Sequence, residues 1–179
     1  MIILVAGESH TGKTALANQL IKITGYSCMS TDHIKMGLIK GGYADFSIED
    51  HDELIAQKMQ KMLIGIVDVC LENKQNMIIE GNLLTPELLK KVKNPEIYSI
   101  VLVLSQEYFE NHSEDIGKYE NVIEKRKFPM DFSLSDLMSG NNQWKKECIE
   151  HGIDFYEIGD NYESKILDIL SSVEKIQKQ

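Results

Sequence analysis

One stretch of eight residues decides the fold of this chain: Gly7-Glu8-Ser9-His10-Thr11-Gly12-Lys13-Thr14. It matches the pattern G-x-x-x-x-G-K-[ST], in which backbone amides and a lysine bind phosphate groups. An apolar run precedes it at residues 2–6, and an amphipathic pattern follows it at Leu16, Leu20 and Ile23. A strand, a glycine-rich turn and a helix in this order are the context that the pattern requires. The stretch therefore predicts a phosphate-binding loop.

Four residues of this loop have a clear physical role. Gly7 and Gly12 let the backbone curl so that successive N–H groups face one anion. Lys13 is expected to act catalytically, as a point charge on the β- and γ-phosphates, and the Thr14 hydroxyl is expected to coordinate Mg²⁺. The sequence thus predicts ATP and Mg²⁺ as ligands. The expected nucleotide-binding residues are Gly7, Ser9, His10, Thr11, Gly12, Lys13 and Thr14.

Two loop residues leave alternatives open. Glu8 is assigned no role, because a carboxylate beside a triphosphate is unfavourable unless it points away. His10 can meet a phosphate or be an ordinary surface histidine. A glycine-rich turn without any ligand is the alternative for the loop as a whole.

The charge balance excludes some partners. The chain has 179 residues, with 28 acids against 19 bases and a net charge of −9. Nucleic acids and anionic membranes both need a basic surface, so we expect neither as a partner. Of the 19 bases 18 are lysines, and Arg126 is the one arginine. Arginine is the usual phosphate clamp because its planar fork binds two oxygens at once, so this shortage constrains any phosphate chemistry.

Cysteine use and hydropathy predict a cytoplasmic protein. Its oligomeric state is left open between a monomer and a homodimer. Cys28, Cys70 and Cys148 lie far apart in sequence and are interpreted as buried structural thiols in a reducing compartment. The apolar start has no basic region before it and is too short for a secretory signal. No stretch approaches the length of a membrane span.

Alternating patterns predict an α/β fold in one domain, residues 1–179. Near-continuous apolar runs at 2–6, 26–29, 77–79, 97–104 and 155–158 predict parallel strands buried on both faces. Helical periodicity lies between them, most clearly within 47–73, where a stripe with methionines is interpreted as core packing. Thr85-Pro86 predicts a helix start. We therefore expect a three-layer sandwich around a five-stranded parallel sheet, of the P-loop NTPase type.

Two acids are expected where strands end. Asp32 follows the second apolar run, and Glu80 follows the third. The carboxyl ends of parallel strands line the ligand crevice, so both would lie beside the phosphate-binding loop. Such a carboxylate can hold a Mg²⁺-bound water or accept the proton of an attacking hydroxyl. For Asp32 a helix N-cap is an equal alternative, whereas an acid that ends an apolar strand, like Glu80, favours a metal-binding role.

The loop, the two acids and the order of elements resemble the P-loop small-molecule kinases, which include gluconate, shikimate, 2-phosphoglycerate and nucleoside monophosphate kinases. The resemblance implies that Asp32 contacts the acceptor, that residues 31–73 hold it, and that residues 108–142 form a lid over ATP. It also implies that Arg126 acts catalytically from this lid, beside Lys118, Lys125 and Lys127. Asp160 and Asn161, after the last strand, would lie near the adenine.

The sequence departs from these kinases in its single arginine. Residues 31–73 contain none, and only Lys35, Lys40, Lys58 and Lys61 could meet an anionic acceptor. This favours transfer from ATP to a neutral or weakly anionic hydroxyl compound, such as a sugar acid or hydroxy acid. A nucleoside or nucleotide kinase and a non-catalytic ATP-binding module stay open as alternatives.

Overall fold

A five-stranded, all-parallel sheet forms the centre of the computed structural model, which describes residues 1–118 and 133–178, the side chains of 113–118 excepted. Its strands are β1 (Ile2–Gly7), β2 (Ser27–Ser30), β3 (Met77–Glu80), β4 (Ile97–Leu104) and β5 (Tyr156–Ile158). Their order across the sheet is β2-β3-β1-β4-β5. All six residues of β1 are buried, as the apolar run predicts for a central parallel strand.

Seven helices among the described residues connect and cover the strands. They are α1 (Lys13–Thr24), α2 (Thr31–Gly41), α3 (Asp52–Glu72), α4 (Pro86–Lys91), α5 (Gln106–Lys118), α6 (Leu134–His151) and α7 (Tyr162–Gln177). None of the helices in the described ranges is long and apolar enough to cross a membrane.

Side-chain alternation along the strands produces two cores. Ile2, Leu4 and Ala6 pack on one face of the sheet with residues of α3, α4 and α6. Ile3 and Val5 pack on the other face with residues of α1 and α7. The sheet is therefore the middle layer of three, which confirms the predicted α/β sandwich.

The local predictions for α3 and α4 are confirmed. The face of α3 that carries Met59, Leu63 and Val67 is buried in the core, so the methionine stripe is packing. The Thr85 hydroxyl accepts a hydrogen bond from the Leu88 amide at 3.3 Å, with Pro86 at the first position of α4. This is the capping geometry that the dipeptide predicts.

Two predictions about β2 are wrong. β2 lies at the edge of the sheet, and none of its four residues is buried, so it is not covered on both faces. Cys28 on this strand is exposed rather than buried, unlike Cys70 and Cys148. Desolvation of the Cys28 thiol and the nearby Glu80 carboxylate raise its pKa to about 11, so it stays protonated at neutral pH.

Candidate functional site

The phosphate-binding loop connects β1 to α1 at the carboxyl edge of the sheet. Gly12 has a left-handed φ of 88°, and a Cβ there would lie 2.1 Å from the Tyr162 hydroxyl oxygen. Only glycine satisfies both conditions. Within the loop, the Thr11 hydroxyl donates to the Glu8 carbonyl oxygen at 2.8 Å. The predicted nucleotide-binding residues between Gly7 and Thr14 are thus brought together in one turn before the N-terminus of α1.

Lys13 is the buried cation at the centre of the site. Its side chain is almost covered, with a relative exposure of 9%, and its Nζ donates to the Glu8 carbonyl oxygen at 2.6 Å. Burial lowers the pKa of Lys13, while the carboxylates of Glu80, Glu8 and Asp32 act in the opposite direction. The Lys13 ammonium therefore interacts electrostatically with both acids that were predicted at strand ends, Asp32 and Glu80.

Thr14 and Glu80 provide an oxygen pair for a divalent cation. The Thr14 hydroxyl donates to Glu80 Oε2 at 3.3 Å, and Glu80 is 5% exposed. Neighbouring ligands of an octahedral Mg²⁺ are separated by about 3 Å, so the two oxygens fit adjacent positions. No group of three or more His, Cys, Asp and Glu side chains that could hold a metal occurs in the described ranges. The pair therefore fits a Mg²⁺ ion whose other ligands would be water molecules and phosphate oxygens of the substrate, which is how this ion is usually bound.

Asp32 is not the N-cap of α2, so that alternative is wrong. Ser30 occupies the N-cap position without a side-chain cap bond, and Asp32 is the second residue of the helix. Its Oδ1 lies 2.9 Å from Lys35 Nζ, one turn further on. A carboxylate in the first turn is favourable against the helix dipole. Asp32 is therefore a first-turn residue of α2, and its carboxylate is held by the ion pair with Lys35.

The predicted adenine residues lie at the same edge. Asp160 follows β5, and its two carboxylate oxygens accept from Asn111 Nδ2 at 3.1 and 2.9 Å. His112 Nε2 lies 3.2 Å from Asp160 Oδ1, which joins this loop to α5. Asn161 is the N-cap residue of α7, and Tyr162 directly after it packs on Gly12. Asp160 and Asn161 are thus next to the phosphate-binding loop, although their contact with adenine stays a prediction.

The lid prediction is only partly within the described chain. Between 108 and 142, the structure describes most of α5 and the first half of α6, on either side of residues 119–132. Lys125, Arg126 and Lys127 fall outside the described residues, and the side chain of Lys118 does too.

Sequence reasoning missed three residues that fix the surroundings of the phosphate-binding loop. The Glu8 carboxylate, which had no expected role, accepts from the Ser9 amide at 2.6 Å and lies on α6 at Gly140. The buried Asn141 side chain accepts from the Leu104 amide at 2.8 Å and donates to the Leu104 carbonyl oxygen at 2.7 Å. Gly140 and Asn141 thus attach α6 to the phosphate-binding loop and to the end of β4. Both residues belong to the segment 108–142 that was expected to form a lid, and no sequence signal pointed to their contacts.

Alanine substitution should show the contact between Gly140 and Glu8. A Cβ at Gly140 would lie 2.7 Å from Glu8 Oε2, whereas nothing lies within 4 Å of a Cβ at Gly65 in α3. We expect Gly65→Ala to raise the free energy of unfolding by up to about 1 kcal/mol through helix propensity. Gly140→Ala should raise the free energy of unfolding by about 1 kcal/mol less than Gly65→Ala does. The displaced Glu8 carboxylate loses its hydrogen bond to the Ser9 amide.

Denaturant unfolding of both variants, each also in a Glu8→Ala background, measures this coupling. Removing the Glu8 side chain should make the effect of Gly140→Ala equal to that of Gly65→Ala. Equal effects already in the wild-type background would show that the contact has no energetic consequence.

Comparisons with known proteins agree with this architecture. Neither the protein-family models nor the curated protein sequences include a match to this chain. Among solved structures, a sugar kinase from Janibacter sp. HTCC2649 matches with a TM-score of 0.58 and 16% identity, over 97% of this chain and 94% of its own. Shikimate kinase from Aquifex aeolicus matches with a TM-score of 0.54 and 16% identity, over 99% and 98%. Deoxyadenosine kinase from M. mycoides matches with a TM-score of 0.56 and 14% identity, over 98% of this chain and 100% of its own.

The likeness extends over nearly the full length of each chain, although identity is low throughout. At this identity the likeness is one of fold: a five-stranded parallel sheet between helices. The chain has the fold of the P-loop small-molecule kinases.

Proposed function

We propose that this protein is an ATP-dependent phosphotransferase that moves the γ-phosphoryl group of ATP to a hydroxyl of a small molecule. The observation that carries the proposal is the environment of Lys13. This buried ammonium lies in a glycine-rich loop and interacts electrostatically with the carboxylates of Glu80, at the end of β3, and Asp32, at the start of α2. A cation for phosphates beside two acids is the arrangement that phosphoryl transfer requires.

Each residue has a separate part in the reaction. The loop amides and Lys13 bind the phosphates and hold the γ-phosphoryl group in line with the acceptor. Thr14 and Glu80 would hold Mg²⁺, which when bound neutralises charge on the β- and γ-phosphates. Asp32 accepts the proton of the acceptor hydroxyl as its oxygen forms a bond to the γ-phosphorus. The bond from the γ-phosphorus to the bridging oxygen breaks, and ADP leaves.

The charges around Asp32 favour an acceptor without a strong negative charge. Lys35 is paired with Asp32, and Lys58 Nζ donates to the Asp45 carbonyl oxygen at 2.6 Å and lies 2.9 Å from its carboxylate. Two of the four lysines between residues 31 and 73 are therefore already neutralised. Lys40 and Lys61 are exposed. This supports a neutral or weakly anionic hydroxyl compound over a nucleotide.

A direct assay tests the proposal. The full chain is incubated with ATP, Mg²⁺ and a panel of sugars, sugar acids, hydroxy acids, nucleosides, nucleotides and antibiotics. We expect acceptor-dependent ADP formation, with the phosphorylated acceptor identified by mass spectrometry. ATP binding without turnover across the panel would contradict the proposal and favour a non-catalytic ATP-binding module.

A nucleoside or nucleotide kinase is the second candidate. The structural match to a deoxyadenosine kinase, which spans the full length of that chain, supports it. Against it stands the absence of arginine from residues 31–73, because nucleotide phosphates are usually held by arginine. Turnover confined to the nucleosides and nucleotides of the panel would establish this alternative.

Arg126 provides a further prediction, which rests on the sequence. Arg126→Ala should reduce kcat by about 10³-fold, because an arginine on the transferring phosphoryl group contributes at least that much. The melting temperature should change little. Lys127→Ala, a neighbouring loss of one positive charge, is the matched control and should retain most activity. An Arg126→Ala enzyme with wild-type kcat would remove Arg126 from the catalytic residues.

A further inference from the structure

Glu8, the second residue of the phosphate-binding loop, is held through both its main chain and its side chain. Its carbonyl oxygen accepts from the Thr11 hydroxyl at 2.8 Å and from Lys13 Nζ at 2.6 Å. Its carboxylate oxygen Oε1 accepts from the Ser9 amide at 2.6 Å. Successive amides of such a loop form a concave site for an anion. One of the loop amides is therefore bonded to a negatively charged oxygen of the chain itself.

Helix α6 closes the other side of this carboxylate. A Cβ at Gly140 would lie 2.7 Å from Glu8 Oε2, so the absence of a side chain on Gly140 lets the carboxylate lie against the helix. Asn141 anchors α6 at this point, because its side chain accepts from the Leu104 amide and donates to the Leu104 carbonyl oxygen. The Glu8 carboxylate lies between a loop amide and an anchored helix, so its charge stays beside the phosphate-binding loop.

The charges around Lys13 do not balance among the side chains that the structure describes. The Lys13 ammonium interacts electrostatically with the carboxylates of Glu80, Glu8 and Asp32. Asp32 is paired with Lys35 at 2.9 Å. This pair leaves Glu80 and Glu8 as two negative charges against one ammonium, so the described part of the site has an excess of negative charge before any phosphate enters it.

Of these two carboxylates, Glu8 is the one without a use for its charge. Glu80 lies with Thr14 at the position expected for Mg²⁺, whereas the Glu8 carboxylate is bonded to an uncharged amide. Metal-free ATP carries about four negative charges, and Mg²⁺ cancels about two of them. Because electrostatic repulsion is proportional to the charge of the ligand, the repulsion by the Glu8 carboxylate should fall by about half when the metal is bound.

We propose that Glu8 determines which form of the nucleotide this site accepts, by disfavouring metal-free ATP more than its Mg²⁺ complex. The inference rests on the proposed kinase function and concerns the selectivity of the same site. Glu8 takes no part in proton transfer, and it acts through the charge that it places beside the phosphates. Selection against the metal-free form keeps the loop from being filled by nucleotide that lacks the Mg²⁺ used in transfer.

Calorimetric titration of the full chain with ATP, in Mg²⁺ or in EDTA, measures this selection without any acceptor. Glu8→Gln removes the charge and keeps an oxygen that can accept from the Ser9 amide. We expect it to lower the dissociation constant of metal-free ATP about tenfold and that of the Mg²⁺ complex about threefold. The ratio of the metal-free to the Mg²⁺ constant, which expresses the selection, should therefore fall about threefold.

Two further ligands locate the effect on the phosphates. Pyrophosphate in EDTA should also bind Glu8→Gln more tightly than wild type, because it carries the negative charge without the nucleoside. Adenosine, which is uncharged, should bind both proteins equally. Tighter binding of adenosine to Glu8→Gln, by the same factor as metal-free ATP, would overturn the inference, because the effect would then not depend on phosphate charge.

Glu8→Asp and Glu96→Gln are the matched controls. Glu8→Asp keeps the charge on a shorter side chain, so the ratio of the two constants should stay within about twofold of wild type. Glu96→Gln makes the same change of net charge at the opposite edge of the sheet, since Glu96 is exposed and directly precedes β4. It should also leave the ratio unchanged.

A wild-type ratio in Glu8→Gln would overturn the inference. Should this variant not fold, as judged by its melting temperature, Glu8→Ala removes the same charge and should lower the ratio likewise, and a wild-type ratio there is equally decisive. Failure of the wild-type protein to bind ATP with or without Mg²⁺ is a different result. It would remove the proposed function and this inference with it.

Discussion

Lys13→Met is expected to lower kcat by on the order of 10²–10³-fold and to weaken ATP binding, while the protein without nucleotide becomes slightly more stable. The loss of activity follows from the position of the Lys13 ammonium, which lies inside the phosphate-binding loop and donates to the Glu8 carbonyl oxygen. Methionine is similar in length but carries no charge, so the phosphates lose an electrostatic partner without a large change in packing.

The gain in stability follows from the burial of Lys13. Its charged form is disfavoured by desolvation, which lowers its pKa from the ordinary value of 10.5. The Glu8 carbonyl oxygen, to which Lys13 donates, keeps the Thr11 hydroxyl as a donor at 2.8 Å. The substitution therefore leaves no unpaired acceptor, and we expect a gain of on the order of 1 kcal/mol in the free energy of unfolding.

The pH dependence of this gain has a definite sign. Below the lowered pKa of Lys13 both folded and unfolded chains hold the proton, so the cost of burying the charge is fully present. Between that pKa and 10.5, only the unfolded chain holds it, and wild-type stability rises with pH relative to the variant. Denaturant unfolding at several pH values should therefore show the advantage of Lys13→Met shrinking as the pH approaches 10.5.

Lys22→Met is the matched control, because Lys22 lies on the same helix and is exposed. It should leave kcat, ATP affinity and the pH profile of stability unchanged. Unaltered ATP affinity in Lys13→Met, measured by calorimetric titration, would contradict the assignment of the loop.

Asp32→Asn should abolish most phosphoryl transfer while sparing ATP binding. The amide cannot accept the proton of the acceptor hydroxyl, and a positioned general base typically contributes 10²–10⁴-fold, so we expect kcat to fall by about that factor. Asp32 lies outside the phosphate-binding loop, and the ATP dissociation constant should stay within about threefold of wild type. The broken pair with Lys35 should cost no more than about 1 kcal/mol, because Asp32 is 44% exposed.

Glu87→Gln is the control for the loss of an ion pair. Glu87 is paired with Lys91 at 2.7 Å, and both side chains are about half exposed, so its loss should be similarly mild for stability. We expect it to leave kcat unchanged. Weakened ATP binding in Asp32→Asn, with turnover at the wild-type rate, would place Asp32 in the nucleotide site instead.

Local sequence patterns were sufficient for most of the fold. The apolar run of β1 and the glycine-rich turn after it are adjacent in the chain, so a strand followed by a loop and α1 needs no distant information. The periodic stripe of α3 and the Thr85-Pro86 cap are likewise local. Parallel topology then places Glu80 beside Thr14, because all strands end at one edge of the sheet.

The remaining contacts depend on residues far apart in sequence. Asn141 bonds Leu104 across 37 positions, and no pattern within α6 specifies that partner. The prediction that β2 is buried failed because strand order decides which strand lies at an edge, and that order is not visible in one strand. The role of Asp32 depends on the residue at which α2 begins, which the sequence left open. The helix begins at Thr31, so that Ser30 rather than Asp32 occupies the N-cap position.

The two edges of the sheet have a consequence for self-association. β2 and β5 lie at these edges, with four and three residues. Unpaired backbone groups on an edge strand can recruit a strand from another chain, and very short edges limit this. A second copy would find only a few unpaired backbone groups on either side. We therefore expect any homodimer of this chain to assemble by packing of helices, with each sheet ending within its own subunit.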